Sequence, residues 1–429
     1  MKIAAKATLL VLLFAAGLTV TQVAAGTRSC GPSTKHKCST TSTSTSTSTS
    51  TSTTTTSSTT ATTSTTTDTT TSTTTGAALA AALPAPLPAS TGSVFYVSPI
   101  GLDSAAGSFS SPWRTIAHAM SVLGSGQIAY VRAGTYAEGG TANTDVWSTS
   151  GTSTSPITIS GYPGEEASVI VKTRVKLTGQ WLRLTHLVLD HNYAYSSFDR
   201  VYTGSVCIDI EGSNITVDNL EVRGSSMSGI YVGNEQGTAR NVQILDDYIH
   251  DNGSHDNLDH GIYFGYGTAG LLADNVIEGN RAQGIKLAPD ANSTIATDNT
   301  VAGNGRSGIL VGGDSVYTSN NNALVDNLVD GNANWGIRTY WESAGVGTGN
   351  HAWNNLVWAN ASGAFWFPGG GLDQTGSILA DPLLVGGGNY HLSSGSPAIG
   401  VAAPSYSTPT DYDGRSRSST APDLGAFEP

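Results

Sequence analysis

The 429-residue sequence has few cysteines, few basic residues and no long apolar run beyond its first 25 residues. Three cysteines are too few for a disulfide scaffold, a zinc cluster or an iron–sulfur site. Five of the 20 Lys and Arg residues precede residue 93 and the net charge is −12, which excludes nucleic acid as an expected partner. No later stretch is apolar enough to span a bilayer.

Residues 1–25 have the pattern of a secretory signal peptide. Lys2 and Lys6 precede an apolar run over 9–18, and small residues lead up to a cleavage site before Gly26. A membrane anchor is the alternative, but the run is shorter than the ~20 residues that a bilayer requires. We therefore expect a secreted, extracellular protein, which could be associated with a cell wall.

Two segments separate this peptide from the folded part. In an exported chain, Cys30 and Cys38 of segment 26–38 are expected to form a disulfide. Residues 39–92 form a linker, nearly pure Ser and Thr up to 75 and then rich in Ala and Pro, with too little apolar surface to fold. It is either a bare flexible linker or an O-glycosylated stalk. The folded domain is predicted over 93–429, with Cys207 buried as a small apolar side chain.

A repeat of 24 to 28 residues extends over about 214–367 and shows as three columns in register. The first column consists of Asx residues: Asn219, Asp247, Asn275, Asn299, Asn327 and Asn355. The second, five residues further on, consists of Asn252, Asn280, Asn304, Asn332 and Asn360. The third is a Gly followed by a small or branched apolar residue, as in Gly261-Ile262 and Gly284-Ile285.

This repeat predicts a solenoid of strands, because each unit contains two short β-type runs and no helical periodicity. The Leu-x-x-Leu-x-Leu frame of leucine-rich repeats is absent. Asn at turn positions can stack and hydrogen-bond from coil to coil. The sequence therefore predicts a parallel β-helix with the Ile column buried, and a helix over 115–123 that covers its open end with Ile116, Ala119, Met120 and Leu123. We expect a monomer.

The segments HGIYFG, GNRAQGIKL and GNGRSGILV resemble the right-handed β-helix family of the pectate-lyase-like superfamily. The blocks over 95–139 and 396–429 resemble the N-terminal cap and the C-terminal block of secreted members. The resemblance implies an all-β, single-stranded right-handed parallel β-helix of the pectin-lyase-like type with a short N-terminal capping helix. It implies a carbohydrate-active protein, but the superfamily includes lyases, hydrolases, epimerases and non-catalytic surface proteins.

Candidate site residues are those that remain when the residues of the repeat columns are set aside as structural. Strand alternation predicts an outward row of Tyr231, Tyr263, Lys286, Leu310, Arg338 and Phe365. An enlarged turn over 250–260 opens beside this row. The candidate catalytic residues are Lys286, Arg338, His260 and Tyr263. The candidate substrate-binding residues are Trp335, Tyr340, Trp341, Tyr231 and Glu342.

The favoured hypothesis is a lyase that cleaves a uronate-containing glycan by β-elimination. Arg338 would neutralise the uronate carboxylate, Lys286 or His260 would be the base, and Tyr263 would donate a proton. Asp256 and Asp259 match, although only loosely, the Asp-rich calcium pocket of the family. The resemblance therefore makes Ca²⁺ a candidate cofactor and these two carboxylates its candidate ligands. The alternatives are a glycoside hydrolase using two carboxylates from Asp256, Asp259 and Glu342, a uronate epimerase, and a non-catalytic adhesion module.

Overall fold

The computed structural model describes residues 83–138, 145–171, 174–190, 206–233 and 239–429. The signal peptide, the Cys30–Cys38 pair and the Ser/Thr tract predicted above lie outside the described residues. Three parallel sheets surround one apolar core. In these ranges, no helix is long and apolar enough to cross a membrane.

The strands follow one another around the core from sheet 1 to sheet 2 to sheet 3, coil after coil. Sheet 1 has eleven strands: Val94–Val97, Ile128–Val131, Ile157–Gly161, Gln180–Thr185, Ser213–Asp218, Val242–Leu245, Leu271–Ala273, Ile295–Thr297, Ala323–Val325, Asn350–Trp353 and Leu372–Thr375. Sheet 2 has nine: Gly134–Glu138, Ala167–Val171, Val188–Asp190, Glu221–Arg223, Tyr248–His250, Val276–Glu278, Thr300–Ala302, Leu328–Asp330 and Leu356–Trp358.

Sheet 3 completes each coil and carries the predicted site. Its main path consists of Asp145–Trp147, Val175–Leu177, Ile208–Ile210, Ile230–Val232, Ile262–Thr268, Ile285–Asn292, Ile309–Gly312, Trp335–Tyr340 and Gly363–Trp366. Beside it, Ala239–Arg240 pairs with Ile262–Thr268. The other elements are the helix Ile116–Val122 and the antiparallel pair Leu384–Gly386 and Asn389–Leu392. The predicted all-β parallel β-helix is confirmed.

The core contains the predicted Ile column. Ile262, Ile285 and Ile309 pair in register on adjacent strands of sheet 3 and have no exposed surface. Cys207 is also completely buried. At about 25 cal/mol per Å² of apolar area removed from water, this column is a main source of stability. No single coil could bury it without its neighbours.

Two Asn ladders hold the turns together. Between sheets 1 and 2, Nδ2 of Asn275 donates to Oδ1 of Asn299 (2.8 Å), and Nδ2 of Asn299 donates to Oδ1 of Asn327 (2.9 Å). Between sheets 2 and 3, Asn280 donates to Asn304 at 3.0 Å. In each coil, the residue that precedes the ladder Asn of this first ladder has a left-handed backbone, as Asp298 does (φ 51°). Asn and Asp tolerate this conformation. The predicted coil-to-coil stacking is confirmed.

One member of the first column was misplaced. Asn219 has φ 53°, and its N–H donates to Leu245 O, which aligns it with the left-handed Asp246. The ladder position in this coil belongs to Leu220, whose N–H donates to Asp247 Oδ1 at 2.7 Å. The step between these coils is therefore one residue shorter than the sequence columns suggest.

The short helix Ile116–Val122 covers the N-terminal end of the core, as predicted. Thr115 caps it by accepting a hydrogen bond from His118 N (3.1 Å). Ile116, Met120 and Leu123 are at most 3% exposed and belong to the main core cluster. The open apolar end of the solenoid is thus removed from water.

The C-terminal segment covers the outer faces of two sheets. Tyr406 packs against Leu271 and its neighbours in sheet 1. Leu424 packs against Leu328 in sheet 2, and Phe427 packs against Val276. In the apolar clusters that this segment forms among the described residues, no strand of sheet 3 takes part.

Part of the segment assigned to the linker also contacts the domain. Leu83 joins the sheet 1 cluster. Gln243 Nε2 donates to Ala85 O at 3.0 Å, and Ser90 Oγ donates to Pro156 O at 2.8 Å. The chain therefore reaches the β-helix along sheet 1.

Candidate functional site

The outward side chains of sheet 3 form one row in register. Its members are Lys176, Asp209, Tyr231, Tyr263, Lys286, Leu310, Arg338 and Trp366. Neighbouring members are one strand spacing apart, about 4.8 Å. The structure thus brings together four predicted site residues, Tyr231, Tyr263, Lys286 and Arg338, on the sheet that the C-terminal segment leaves open.

The last member of the predicted row is wrong. Gly363 pairs with Trp335 rather than with Gly336, so Arg338 pairs with Trp366 and Ile337 pairs with Phe365. A one-residue change of register reverses the face of every side chain on a strand. Phe365 consequently packs against the core cluster, and Trp366 takes its place in the row.

Lys286 combines burial with the lack of a carboxylate partner. Its amine lies 4.3 Å from the ring centre of Tyr263. Among the residues that the structure describes, it forms no ion pair. Burial lowers the pKa of Lys286 to about 8, although the charge of Asp314 opposes the shift. A useful fraction of this amine is therefore neutral near physiological pH and can accept a proton.

Two tyrosines continue the row from Lys286. The rings of Tyr263 and Tyr231 meet edge to face, with centres 5.1 Å apart. Tyr263 also contacts His260 edge to face at 5.2 Å. Because Tyr263 lies between the amine and two aromatic rings, its orientation is fixed by packing on both sides.

His260 lies beneath this row and is completely buried. Its Nδ1 accepts a hydrogen bond from Gln283 N (3.3 Å), so the neutral ring carries its proton on Nε2. Burial, reinforced by the Lys286 charge, lowers the pKa of His260 well below its usual range. The imidazole is therefore suited to donate a hydrogen bond from Nε2 rather than to act as a base.

His260 belongs to a stack of side chains that each precede a column Gly. The next two members are Gln283 and Ser307, which are 4% and 0% exposed. Nε2 of His260, Oε1 of Gln283 and Oγ of Ser307 have no partner among the described protein groups. Leaving a buried polar atom without a partner costs free energy. These three atoms give this edge of sheet 3 unused hydrogen-bonding capacity.

The candidate metal ligands do not converge. Asp259 is 1% exposed, and its Oδ2 accepts from the backbone N–H groups of Ser254 (2.9 Å) and His255 (2.5 Å). Asp256 is exposed and pairs with Arg281 Nε at 2.6 Å. In the described ranges, no three His, Cys, Asp or Glu side chains gather as a metal site. Ca²⁺ binding stays a prediction, and these two carboxylates alone do not fit it.

Aromatic side chains dominate the C-terminal end of the row. The guanidinium of Arg338 lies 4.6 Å from the Trp366 ring centre, and Trp366 is parallel to Trp335 at 6.0 Å and 9°. Tyr340 and Trp341 are about two-fifths exposed. The Tyr340 hydroxyl donates to Glu342 Oε1 at 3.4 Å. Of the predicted binding residues, Trp335, Tyr340, Trp341 and Glu342 therefore lie on or just after the strand of Arg338, whereas Tyr231 lies four strands away beside Tyr263. The Arg338 guanidinium extends toward Trp366 and away from Lys286.

Sequence reasoning missed the N-terminal part of the row. Asp209 is 1% exposed, its Oδ2 accepts from Arg174 Nη1 at 2.7 Å, and burial raises its pKa to about 6. Lys176 pairs with Glu211 at 2.8 Å. The signal was present in the alternation of SVCIDIEG, but the repeat columns begin only after it.

Comparison with known proteins agrees with this architecture. Residues 95–365 match the family described as Pel9A-like, right handed beta helix region. The crystal structure of pectate lyase Pel9A is similar, with a TM-score of 0.52 and 16% identity over 81% of this chain and 99% of that one. A rhamnogalacturonan lyase structure has a TM-score of 0.46 and 14% identity, covering 67% of this chain and 87% of its own. No curated protein sequence matches significantly.

The family match covers more than half of the chain and includes all of sheet 3 except Trp366, the last residue of its last strand. Its description gives the hand of the helix, which agrees with the right-handed winding predicted from the sequence. The chain belongs to the family of Pel9A-like right-handed β-helix proteins.

Proposed function

We propose that this protein is a carbohydrate-active enzyme, a polysaccharide lyase that cleaves a uronate-containing glycan by β-elimination. One observation carries the proposal: the Lys286 amine lies on the open face of sheet 3 against the ring of Tyr263, without a carboxylate paired to it in the described structure. Burial there lowers its pKa to about 8. A permanently ion-paired lysine could not accept a proton. Lys286 can.

In the proposed reaction, the Lys286 amine removes the proton from C5 of a bound uronate. The electron pair of that C–H bond forms the C4–C5 double bond, and the C4–oxygen bond breaks. The leaving oxygen takes a proton from the Tyr263 hydroxyl or from water. The product is an unsaturated uronate at the new non-reducing end, with no net consumption of water.

The buried His260 is assigned a positioning role. Its neutral ring underlies Tyr263 and is close enough for the Lys286 charge to affect it. Its Nδ1 already accepts from Gln283 N and its Nε2 carries the proton, so the ring has no free nitrogen with which to remove a proton from a substrate. The base assignment therefore falls on Lys286.

Neutralisation of the uronate carboxylate is the remaining requirement. A bound divalent cation such as Ca²⁺ would supply that charge, but Asp256 and Asp259 are engaged in other contacts and do not fit such an ion. The net charge of −12 opposes an acidic glycan in general. Locally, Lys286, Arg306 and Arg338 are basic groups without carboxylate partners in the described structure, which favours an acidic chain along sheet 3.

Product analysis after incubation with a panel of uronate-containing and neutral glycans tests the proposal. A lyase gives products with the ultraviolet absorbance of a conjugated double bond. A new reducing end without that absorbance would indicate a hydrolase, a changed uronate configuration an epimerase, and unchanged glycan a binding module. Lys286→Arg is the matched variant, because it keeps the charge and removes the base. Full activity in that variant would contradict the role of Lys286.

A further inference from the structure

Four aromatic side chains form a cluster on the outer face of sheet 1, at its N-terminal end. Tyr96 and Tyr130 pair in register on the first two strands, and Tyr162 directly follows the third. The ring centres of Tyr96 and Tyr130 lie 6.2 Å apart, and those of Tyr130 and Tyr162 lie 5.7 Å apart. Phe109 contacts both ends of this group, at 5.2 Å from Tyr96 and 6.2 Å from Tyr162. We call these four residues the aromatic platform.

A firmly held loop carries Phe109. Both ends of the loop are tied to one strand residue, because Tyr96 N donates to Gly107 O at 2.8 Å and Trp113 N donates to Tyr96 O at 2.9 Å. Gly107 has φ 72°, and a Cβ added there would come within 2.6 Å of the Trp113 ring. Phe109 is nevertheless 54% exposed. The loop therefore fixes the position of an apolar ring that faces solvent.

Arg132 orders the platform without adding net charge to it. Its guanidinium lies 4.6 Å from the ring centre of Phe109 and 4.7 Å from that of Tyr162, so it stacks on both rings. Glu165 accepts from Arg132 Nε at 2.8 Å and from Nη2 at 2.5 Å. This bidentate pair neutralises the cation. The platform is therefore a neutral surface on a chain of net charge −12.

The tyrosines of the platform have free hydrogen-bonding groups. Within the described structure, the hydroxyls of Tyr96, Tyr130 and Tyr162 form no hydrogen bond with protein groups, and all three residues are partly exposed. Nearby Tyr136 differs, because its hydroxyl donates to Arg132 O at 2.7 Å. A phenol group is both a donor and an acceptor. The platform thus offers three hydroxyls beside its rings.

The C-terminal segment leaves the platform open. Its apolar contacts with sheet 1 begin at Leu245, on the sixth strand, whereas the platform lies on the first three. The segment that precedes the domain also passes to one side, because Ser90 contacts Pro156, at the opposite end of the third strand from Tyr162. A large ligand can therefore approach the platform from solvent.

This combination of groups suits a neutral sugar chain. Aromatic rings offer apolar surface on which the C–H faces of a sugar ring can pack, and the tyrosine hydroxyls can exchange hydrogen bonds with the hydroxyls of the sugar. An acidic glycan would require an unpaired cation, but Arg132 is already paired with Glu165. The charge balance of the platform therefore favours a neutral polysaccharide over an acidic one.

We propose that Tyr96, Phe109, Tyr130 and Tyr162 form a second carbohydrate-binding surface, which binds a neutral polysaccharide and is separate from the row on sheet 3. The platform lies on a different sheet from Lys286, so a chain bound there leaves the candidate catalytic face free. Attachment to an insoluble glycan would raise the effective concentration of sheet 3 around neighbouring chains. The proposal does not rest on the reaction proposed above.

Retention on insoluble polysaccharides tests this surface. The full-length protein is mixed with cellulose, insoluble xylan and mannan, and binding isotherms are measured from the fraction that sediments. Phe109→Ala should weaken binding to at least one of them by roughly 3- to 10-fold, as for one lost aromatic contact. Tyr130→Phe keeps the ring packing and should weaken binding by a smaller factor. Trp358→Ala is the matched control, because Trp358 is 40% exposed on sheet 2 and should not affect binding.

Three results would overturn the surface: no retention on any of these polysaccharides, unchanged affinity in both platform variants, or an equal loss in Trp358→Ala. Displacement of the bound protein by oligogalacturonate would also contradict it, because an acidic glycan should not compete for a neutral surface. On a soluble uronate-containing glycan, Phe109→Ala should leave kcat/KM within about twofold. Platform-dependent retention without unsaturated product would refute the lyase function alone, and lysis without retention would refute the platform alone.

Discussion

Replacing Arg417 by Met should increase the loss of β-helix stability that accompanies a rise in pH above 6. Arg417 lies in the C-terminal segment with its side chain 1% exposed, and its Nη2 contacts Asp274 Oδ1 at 2.5 Å. Asp274 belongs to a line of turn carboxylates that also includes Asp246, Asp298 and Asp326, which are stacked coil on coil. Arg417 is the cation that opposes their mutual repulsion.

The expected magnitude follows from proton linkage. Burial, only partly offset by Arg417, raises the pKa of Asp274 to about 6. Since this pKa is above the unfolded value of about 3.9, the folded state holds more protons and stability falls as pH rises, until Asp274 is ionised near pH 6. Without Arg417 the carboxyl must stay protonated to stay buried. Stability should then keep falling by about 1.4 kcal/mol per pH unit, or roughly 3 kcal/mol more between pH 6 and pH 8.

Urea unfolding of the wild type and of Arg417→Met at pH 6 and pH 8 measures this difference. Arg415→Met is the control, because Arg415 is half exposed and should contribute less than about 0.5 kcal/mol at either pH. Adding Asp274→Asn to Arg417→Met should remove most of the extra pH dependence. A destabilisation by Arg417→Met that is the same at both pH values would refute the reasoning.

Four further predictions concern other parts of the chain. If Lys286 is the base, kcat/KM for elimination should rise with pH and level off above about pH 8, since the neutral amine is the active form; a profile that falls over this range would contradict the assignment. Ile285→Asp should cost several kcal/mol in an unfolding experiment, because it buries a carboxylate without a partner. Asn299→Ala should cost about 1–3 kcal/mol by leaving buried ladder groups unsatisfied, and an unchanged melting transition would count against the ladder. Mass spectrometry of secreted protein should find Cys30 and Cys38 bonded, and two free thiols would refute that pairing.

The repeat made the fold predictable because its columns correspond to physical requirements. The Asn columns form hydrogen-bonded ladders, and the Ile column forms the core, so each leaves a periodic trace in the sequence. The row Tyr231, Tyr263, Lys286 and Arg338 could be predicted for the same reason, since strand alternation fixes the face of each residue. Errors arose where a coil departs from the period, as at Asn219 and Phe365.

The contents of the site were less predictable, because they depend on contacts between distant segments. No local pattern shows that Asp259 turns its carboxylate to the backbone of its own loop, or that Asp256 pairs with Arg281. The side-chain direction of Arg338 also depends on Trp366, a full coil later, whose position follows from the register change. Carboxylates of a loop were therefore plausible metal ligands in the sequence and are engaged in other contacts in the structure.

The C-terminal segment explains why sheet 3 is the face that stays open. A solenoid of three sheets has three long outer faces. On sheets 1 and 2 the outward residues include Leu271, Ala273, Leu328 and Leu356. Without a cover, these side chains would expose apolar surface to water. Tyr406, Leu424 and their neighbours cover them, and Arg417 compensates the carboxylates at the corner between these two sheets. The row on sheet 3 needs no such cover, because all of its members except Leu310 carry charged, hydroxyl or indole groups. The same division of polarity that stabilises the fold therefore leaves the outer face of sheet 3 open, with the candidate base Lys286 near the middle of its row.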